Sequence, residues 1–516
     1  MRQLSRRQTL RGVAGAVAAL ALTARSAVRR PASATPVDLV RFAWGADVGV
    51  PTPFQVSNAG PAGAVLLSLL YDTLTWKDED GVIPWLASEW QVSADGTEHT
   101  FRLVDGIAWH DGRPLTADDV AFSFALYARH PYKWMTTEVV EAASAVDAGT
   151  VRIALQRPHA AFLEEIAGIV PILPRHLWEP VADPVTATGP GLAVGSGPFR
   201  LEAYDRTAGA YRLLANDGYW RGRPIVQEWQ QLTIPAQAAV QAVQGDDADV
   251  ALSTDASVRE VVAGDARLAV HETAPLSIVR LAVNTARAPL DDRNVRQAIA
   301  FALDRRRIDE TITRGPAIVG GTGVIPPESP WHNPSLPAYD HDPARARTLL
   351  GGRRLTIDLI ADANAREPDL MGPMLDAVGI TLNVQRVDAP TRVQLLDEGN
   401  FQLALTSHIG IGGDPDFLRR WYANEEANAF ARGSIFDHAE YARLGDEQAA
   451  TLDPAQRRAI IFRMQEILAE ELPTIVLYHR RFYWVYDRAV FTPMVTWGGL
   501  MNGVPFPNNK LALIEG

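Results

Sequence analysis

The sequence predicts an α/β protein made of more than one packed unit. Two stretches, 99–104 and 150–155, alternate apolar and polar residues as half-buried strands do. Helical patterns are interleaved with strands, as at 62–71, 235–244 and 454–468. The chain has 516 residues, more than a usual single domain holds, so two or three units are expected. A hydrophobic content of 47% is enough to give each a core, and 35 Pro with 39 Gly leave much of the chain for loops.

The first 34 residues read as a removable leader. Ser5-Arg6-Arg7-Gln8-Thr9-Leu10 resembles the twin-arginine export motif, with Thr9 where Phe is common. A weakly apolar segment follows at 12–22, then Arg25, Arg29 and Arg30, and Ala32-Ser33-Ala34 fits an A-x-A cleavage site. Removing this leader removes seven Arg and no acid, which takes the formal charge from −12 to −19. Such a surface does not suit nucleic acid or anionic membrane, and no nucleic-acid partner is expected. No later run of eighteen apolar residues occurs, so no transmembrane helix is expected in the mature protein. There is no Cys, hence no disulfide, thiolate metal site, Cys nucleophile or lipid anchor. The expected location is periplasmic or secreted, free of the membrane.

In chain order, 39–44 is a short strand before a Pro-punctuated loop at 50–54, and 62–71 is an apolar helical patch. Residues 98–124, E-H-T-F-R-L-V-D-G-I-A-W-H-D-G-R-P-L-T-A-D-D-V-A-F-S-F, form a complete unit. It has a strand, the turn pairs Asp105-Gly106 and Asp111-Gly112, and a helix start with Thr116 as N-cap and Asp119 three residues on. A short helix is expected at 158–166, a loose crossing segment at 180–198, and a hairpin at 199–214. The helix at 235–244 closes at Gly245, and a strand follows at 249–252. After a strand at 277–284, Asp291-Asp292 can cap a helix with Val295, Ile299, Ala302 and Leu303 on one face. Strand 355–360, helix 371–378 and strand 381–387 make a βαβ-like unit. Strand 401–406 leads into S-H-I-G-I-G-G-D-P-D-F, the helix at 454–468 turns Ile460, Met464, Ile467 and Leu468 inward, and 472–486 is strand-rich.

Nothing in this order assembles a reaction centre. There is no H-E-x-x-H, G-x-S-x-G, P-loop or dinucleotide fingerprint. Gly195-Ser196-Gly197-Pro198 lacks the following Lys of a phosphate loop, and Pro198 removes an N–H. The eleven His are scattered, and the paired acids Asp118-Asp119 and Asp246-Asp247 suit caps and turns. No cofactor is called for. A pair of catalytic carboxylates hidden among the many acids is the enzyme alternative, which would make this a secreted hydrolase.

The motifs do assemble into a family. L-Y-D-T-L-T-W, D-G-V-I-P-W-L-A-S-E-W, S-A-D-G-T-E-H-T-F-R-L and I-A-W-H-D-G-R-P-L-T-A-D-D-V-A-F-S follow one another. G-S-G-P-F-R, N-D-G-Y-W-R-G-R-P, A-V-Q-G-D-D-A-D-V, L-A-V-N-T-A-R-A-P-L-D-D-R-N-V-R-Q-A-I-A-F-A-L-D-R, V-G-I-T-L-N-V and G-G-D-P-D-F come after them. In this set and order the chain resembles the family 5 extracellular solute-binding proteins of ABC transporters, the dipeptide- and oligopeptide-binding type. The resemblance implies a two-lobed α/β fold, the type II periplasmic-binding-protein (Venus flytrap) architecture, with an extra domain in the first lobe. It places lobe I at 35–60, 175–275 and 486–516, the extra domain at 61–174 and lobe II at 276–485. It implies a monomer that is not an enzyme, captures a peptide-like solute between its lobes and delivers it to the permease subunits of an importer. Within the same fold the alternative solutes are an oligosaccharide, an opine, haem or a nickel chelate.

The resemblance also points to residues. A buried ammonium demands a carboxylate, and Asp414 matches the family position where an aspartate takes the peptide amino group, while Asp416 reads as a helix-start residue. His408 stands where family members often carry Trp near the end of the preceding strand. Trp44, Phe54, Trp421 and Trp497 lie in segments that would face the cleft, and Arg41 or Arg420 could pair a carboxylate. No residue is expected to hold a metal.

Overall fold

The computed structural model describes residues 36–45, 47–56, 61–78, 81–132, 135–189, 191–275, 277–314, 318–319, 323–409, 411, 413–423, 434–493 and 510–514. Nineteen strands are described, in the order β1 (Val37–Trp44), β2 (Thr75–Asp78), β3 (Gly81–Pro84), β4 (Ala87–Val92), β5 (Glu98–Leu103), β6 (Val140–Asp147), β7 (Thr150–Leu155), β8 (Phe199–Asp205), β9 (Ala210–Ala215) and β10 (Val226–Thr233). They continue as β11 (Val250–Ser253), β12 (Leu268–Glu272), β13 (Ser277–Val283), β14 (Ile318–Val319), β15 (Leu355–Asp362), β16 (Ile380–Val387), β17 (Leu403–Ile409), β18 (Thr474–Arg480) and β19 (Tyr483–Asp487).

Two large mixed sheets organise the chain. The first runs β12-β19-β11-β1-β10-β9-β8, and the second runs β14-β18-β13-β17-β15-β16. We call the parts built on them lobe I and lobe II. β1 lies parallel to both β10 and β11, while β13 is antiparallel to both β17 and β18. Every residue of β13 is buried, because both faces of this central strand are covered. The expected βαβ unit is present. β15 and β16 pair in parallel from Leu355 and Ile380 onward, joined by the helix Glu367–Asp376. That helix starts earlier than its apolar pattern suggests, because Pro368 is well placed in a first turn.

The two lobes have separate cores. One apolar cluster runs through β1 (Val40, Phe42), β5 (Phe101) and β7 (Val151), so the antiparallel sheet β4-β5-β7-β6 shares the core of lobe I. Lobe II packs its own clusters on either face of its sheet, around Leu281 and Ile357 on one side and Ile278 and Met464 on the other. The chain passes between the sheets twice, from β12 to β13 and from β18 to β19. The two crossings lie side by side. Thr273 donates its N–H to Phe482 O at 2.9 Å, and Phe482 N–H donates to Thr273 Oγ1 at 3.0 Å.

The 98–124 unit is a structural clasp. Thr116 N–H donates to Asp119 Oδ2 at 2.9 Å, closing the start of the helix Ala117–Arg129. His110 grips the G-S-G-P turn: its Nδ1 accepts from Gly195 N–H at 3.1 Å, so Nε2 carries the proton and donates to Gly197 O at 3.0 Å. Both glycines are required by contact. A Cβ on Gly195 would sit 1.9 Å from Leu70 O, and one on Gly197 2.4 Å from Leu69 O. Two local expectations are corrected. The segment at 158–166 forms only a widened turn at Phe162–Ile166 before the three-residue helix Ala167–Ile169. In the helix Pro454–Glu471 it is Ile461 that is fully buried, with Ile460 at the margin.

Asp72, from the L-Y-D-T-L-T-W motif, ties remote parts of lobe I together. Its Oδ1 accepts from Lys510 Nζ at 2.7 Å, Trp85 Nε1 at 2.7 Å and Tyr219 Oη at 3.1 Å. Its Oδ2 accepts from Ser196 Oγ and Trp220 Nε1, both at 3.2 Å. The Lys510 ammonium lies over the rings of Trp76 and Trp85, at 4.2 and 4.6 Å from their centroids. Burial lowers the Lys510 pKa against the pull of Asp72. A buried pair of this kind is costly to break, because the survivor keeps its charge without its partner. Lys510→Met is expected to destabilise the protein by about 3–5 kcal/mol, read as a lower urea midpoint by tryptophan fluorescence. An unchanged midpoint contradicts this.

Candidate functional site

The seam between the lobes contains a buried ionic network. Arg420, on the helix Phe417–Tyr422 of lobe II, donates from Nη2 to Glu165 Oε1 of lobe I at 2.7 Å, with both side chains buried. Asp416 stands at the start of that helix, as expected, but its carboxylate is used on side chains. Arg419 grips it through Nε at 2.8 Å and Nη2 at 2.6 Å, and Gln448 donates to it at 2.6 Å. Asp414 is held in a second fork by Arg457, whose Nη1 and Nη2 each donate at 2.6 Å, and it also accepts Asp416 N–H at 2.9 Å. Three carboxylates thus face three guanidinium groups in a region shielded from water. A backbone hydrogen bond, Ala160 N–H to Ala449 O at 2.7 Å, stitches the same seam.

Charges respond to this burial. Burial pushes the Glu165 carboxyl well up, against the opposing pull of Arg420, and its Oε2 has no hydrogen-bond partner. Burial also acts to raise Asp416, but the Arg419 guanidinium wins and holds it below the usual carboxylate range. Burial pushes His159, beside this network, down to about 4. His99, packed on Phe162 at 4.4 Å between ring centroids with neither ring nitrogen hydrogen-bonded, is also pushed down to about 4 by burial.

A second cluster lies on β13 and β17, close to the crossings. Ser277 pairs with Ile409 and with Arg480, and Ile409 packs against the core of lobe I, so this end of the lobe II sheet faces the other lobe. One step further in, His408 stacks on Trp421 with ring centroids 4.2 Å apart, and its Nε2 accepts a hydrogen bond from Arg280 Nη2. Arg280 is fully buried, and its Nη1 donates to Tyr422 Oη at 3.0 Å and Thr474 Oγ1 at 3.2 Å. Sequence reasoning missed Arg280. The signal was a lone charge inside the apolar strand Ser277–Val283, S-I-V-R-L-A-V.

Of the residues singled out from sequence, the structure brings His408 and Trp421 together and sets Asp414 in the ionic network nearby. Trp44 packs with Phe42 and Trp484 in the core of lobe I, at centroid distances of 5.2 and 6.3 Å. Phe54 is buried between Tyr127 and Trp178 in the same core. Trp497 lies outside the described residues. Arg41 and Arg420 do pair carboxylates, but the protein's own: Asp249 at 2.8 Å and Glu165. Among the described residues no cluster of three or more His, Asp or Glu is arranged to hold a metal ion.

The two buried histidines set an acid limit. A histidine whose pKa is lowered by folding contributes stability that is complete above its unfolded value near 6.5 and is lost as pH falls towards 4. Each loses up to roughly 3 kcal/mol over that window. Thermal midpoints should fall as pH is lowered through it, and His99→Phe, which keeps the ring contacts, should flatten part of the decline. An identical acid limb in His99→Phe contradicts the assignment.

Comparison with known proteins places this geometry. Residues 81–429 match the profile of bacterial extracellular solute-binding proteins, family 5 middle. The chain is 28% identical over 437 residues to the dipeptide-binding protein of Escherichia coli K12, covering 77% of this chain and 81% of that one. It is 30% identical over 470 residues to di/tripeptide-binding protein 4 of Pseudomonas aeruginosa, covering 84% and 86%. The structure of a dipeptide-binding protein from Pseudoalteromonas sp. SM9913 with Met-Leu superposes with a TM-score of 0.78 at 21% identity, covering 90% of this chain and 99% of that one.

Proposed function

The chain belongs to the family 5 bacterial extracellular solute-binding proteins, and from that membership we propose that it captures a short peptide between its lobes and hands it to the permease of an ABC importer. The observation that carries the reading is the pair of adjacent crossings, at 273–275 and 481–482, joining two separately cored sheets. Such a joint lets the lobes swing while each stays intact. A solute that touches both lobes only when they are closed shifts the population towards the closed form through that difference in contact. No group in the protein needs to break a bond, and we assign it no catalysis.

The same reading includes export by the twin-arginine pathway, a soluble periplasmic monomer and lobe limits near 276 and 485. Among the described residues no helix is long and apolar enough to cross a membrane. The solute's amino group is assigned to Asp414. A carboxylate offers about four lone-pair positions; Arg457 and Asp416 N–H use three of them, so one more donor fits.

A thermal-shift screen of the mature protein tests the function. Di- to pentapeptides at 100 times Kd should stabilise it by about 2.7 kcal/mol. A sugar or metal chelate that shifts the midpoint while no peptide does overturns the peptide reading, and turnover of a stabilising ligand by mass spectrometry overturns the assignment of no catalysis. Asp414→Asn should weaken peptide binding at least about tenfold in protein shown to be folded. Unchanged affinity removes Asp414 from the site.

A further inference from the structure

We propose that Gln231, in lobe I, is a specificity-determining residue that reads an uncharged group of the solute able both to donate and to accept a hydrogen bond, a carboxamide or a hydroxyl. This rests on the reading of the chain as a solute-binding protein and adds a chemical feature that the solute must carry. Gln231 is 1% exposed, yet neither its Oε1 nor its Nε2 has a hydrogen-bond partner among the described residues. Two residues earlier, on the same face of β10, the buried Trp229 Nε1–H is also unpartnered. A buried amide without partners is costly, and native folds hold few of them. The amide offers two N–H donors beside an acceptor oxygen and carries no charge, so an uncharged group of the same double character completes it.

The register sets Gln231 close to the cleft. β1 runs parallel to β10 and β11, and Phe42 pairs with both Gln231 and Val250. At the end of β11, Ser253 pairs with Tyr483, which follows the crossing at 481–482. The carboxyl ends of these strands therefore face lobe II, at the kind of edge where open α/β sheets take their ligands. The next residue on the same face of β10, Thr233, is exposed. Gln231 thus lies one side-chain step, about 7 Å, below an open edge. Its surroundings are aromatic. It is level with Phe42 on β1 and Tyr211 on β9, and Trp44 is level with Thr233. The Tyr211 hydroxyl does not serve the amide, because it is taken by Asp47 and Gly49 O. Aromatic walls around one unpaired amide suit a small uncharged polar group, since Gln231 brings no charge to balance an ionised one.

The test compares matched solutes, titrated by calorimetry against the mature protein. In dipeptides carrying Gln or Met at the first or the second position, the Gln-containing peptide should bind at least about tenfold tighter at one of them. Gln231→Met should erase that preference without weakening the Met-containing peptides. It should also leave the thermal midpoint unchanged or raise it, because an unpartnered amide gives way to an apolar group of similar shape. A purely structural amide gives the reverse, a lower midpoint with the preference kept, and that result overturns the proposal. So do Met-containing peptides that bind wild type as tightly as their Gln-containing partners at both positions, a comparison needing no variant. A parallel arm uses neutral sugars and their deoxy analogues. Gln231-dependent loss of affinity on removing a hydroxyl, with no peptide bound, sinks the peptide reading and leaves the role of Gln231 standing. Binding that is indifferent to Gln231→Met in both arms overturns that role.

Discussion

The ion pair between Glu165 and Arg420 is the constraint around which the seam is arranged. It brings one charge from each lobe into a region without water, which is unfavourable unless every remaining lone pair and N–H finds a partner. The neighbouring groups meet that demand only in part: Asp416 takes Arg419 and Gln448 and Asp414 takes Arg457, while Glu165 Oε2 and Arg420 Nε have no hydrogen-bond partner. A buried pair gains by attraction about what it loses in hydration. On the proposed reading, water replaces each partner of this pair when the lobes part, and contacts to a solute tip the equilibrium between the two states.

The lobes differ in how they hold their own shape. Lobe I uses Asp72 as a knot that gathers Trp85, Ser196, Tyr219, Trp220 and Lys510 from positions far apart in the chain. Gly195 and Gly197 allow the loop carrying Ser196 to lie against the backbone of Leu69 and Leu70. Lobe II is built around β13, whose apolar residues feed cores on both faces and whose one charged residue, Arg280, is the exception. A rigid body on each side concentrates motion at the crossings.

Much of the fold was legible because its signals are local. Alternation marked β5 and β7, Asp292 capped its helix as read, and the 98–124 stretch carried its own turns and helix start. The site was less legible. Asp414 was visible as an acid in a recognisable motif, but not that Arg457, forty-three residues on, would hold it, since 46 Arg gave no way to choose a partner. Asp72 carried no signal of its role beyond its place in the L-Y-D-T-L-T-W motif, because its partners are spread from 85 to 510. Arg280 could have been found by asking what a charge is doing inside an all-apolar strand.

Closure on a solute is the claim from which the rest follows, and small-angle X-ray scattering tests it most directly. The radius of gyration of the mature protein should fall when a saturating peptide is added, and the scattering should return to the open profile when the peptide is dialysed away. A profile that is identical with and without bound peptide, at a concentration where calorimetry shows the site filled, contradicts the account.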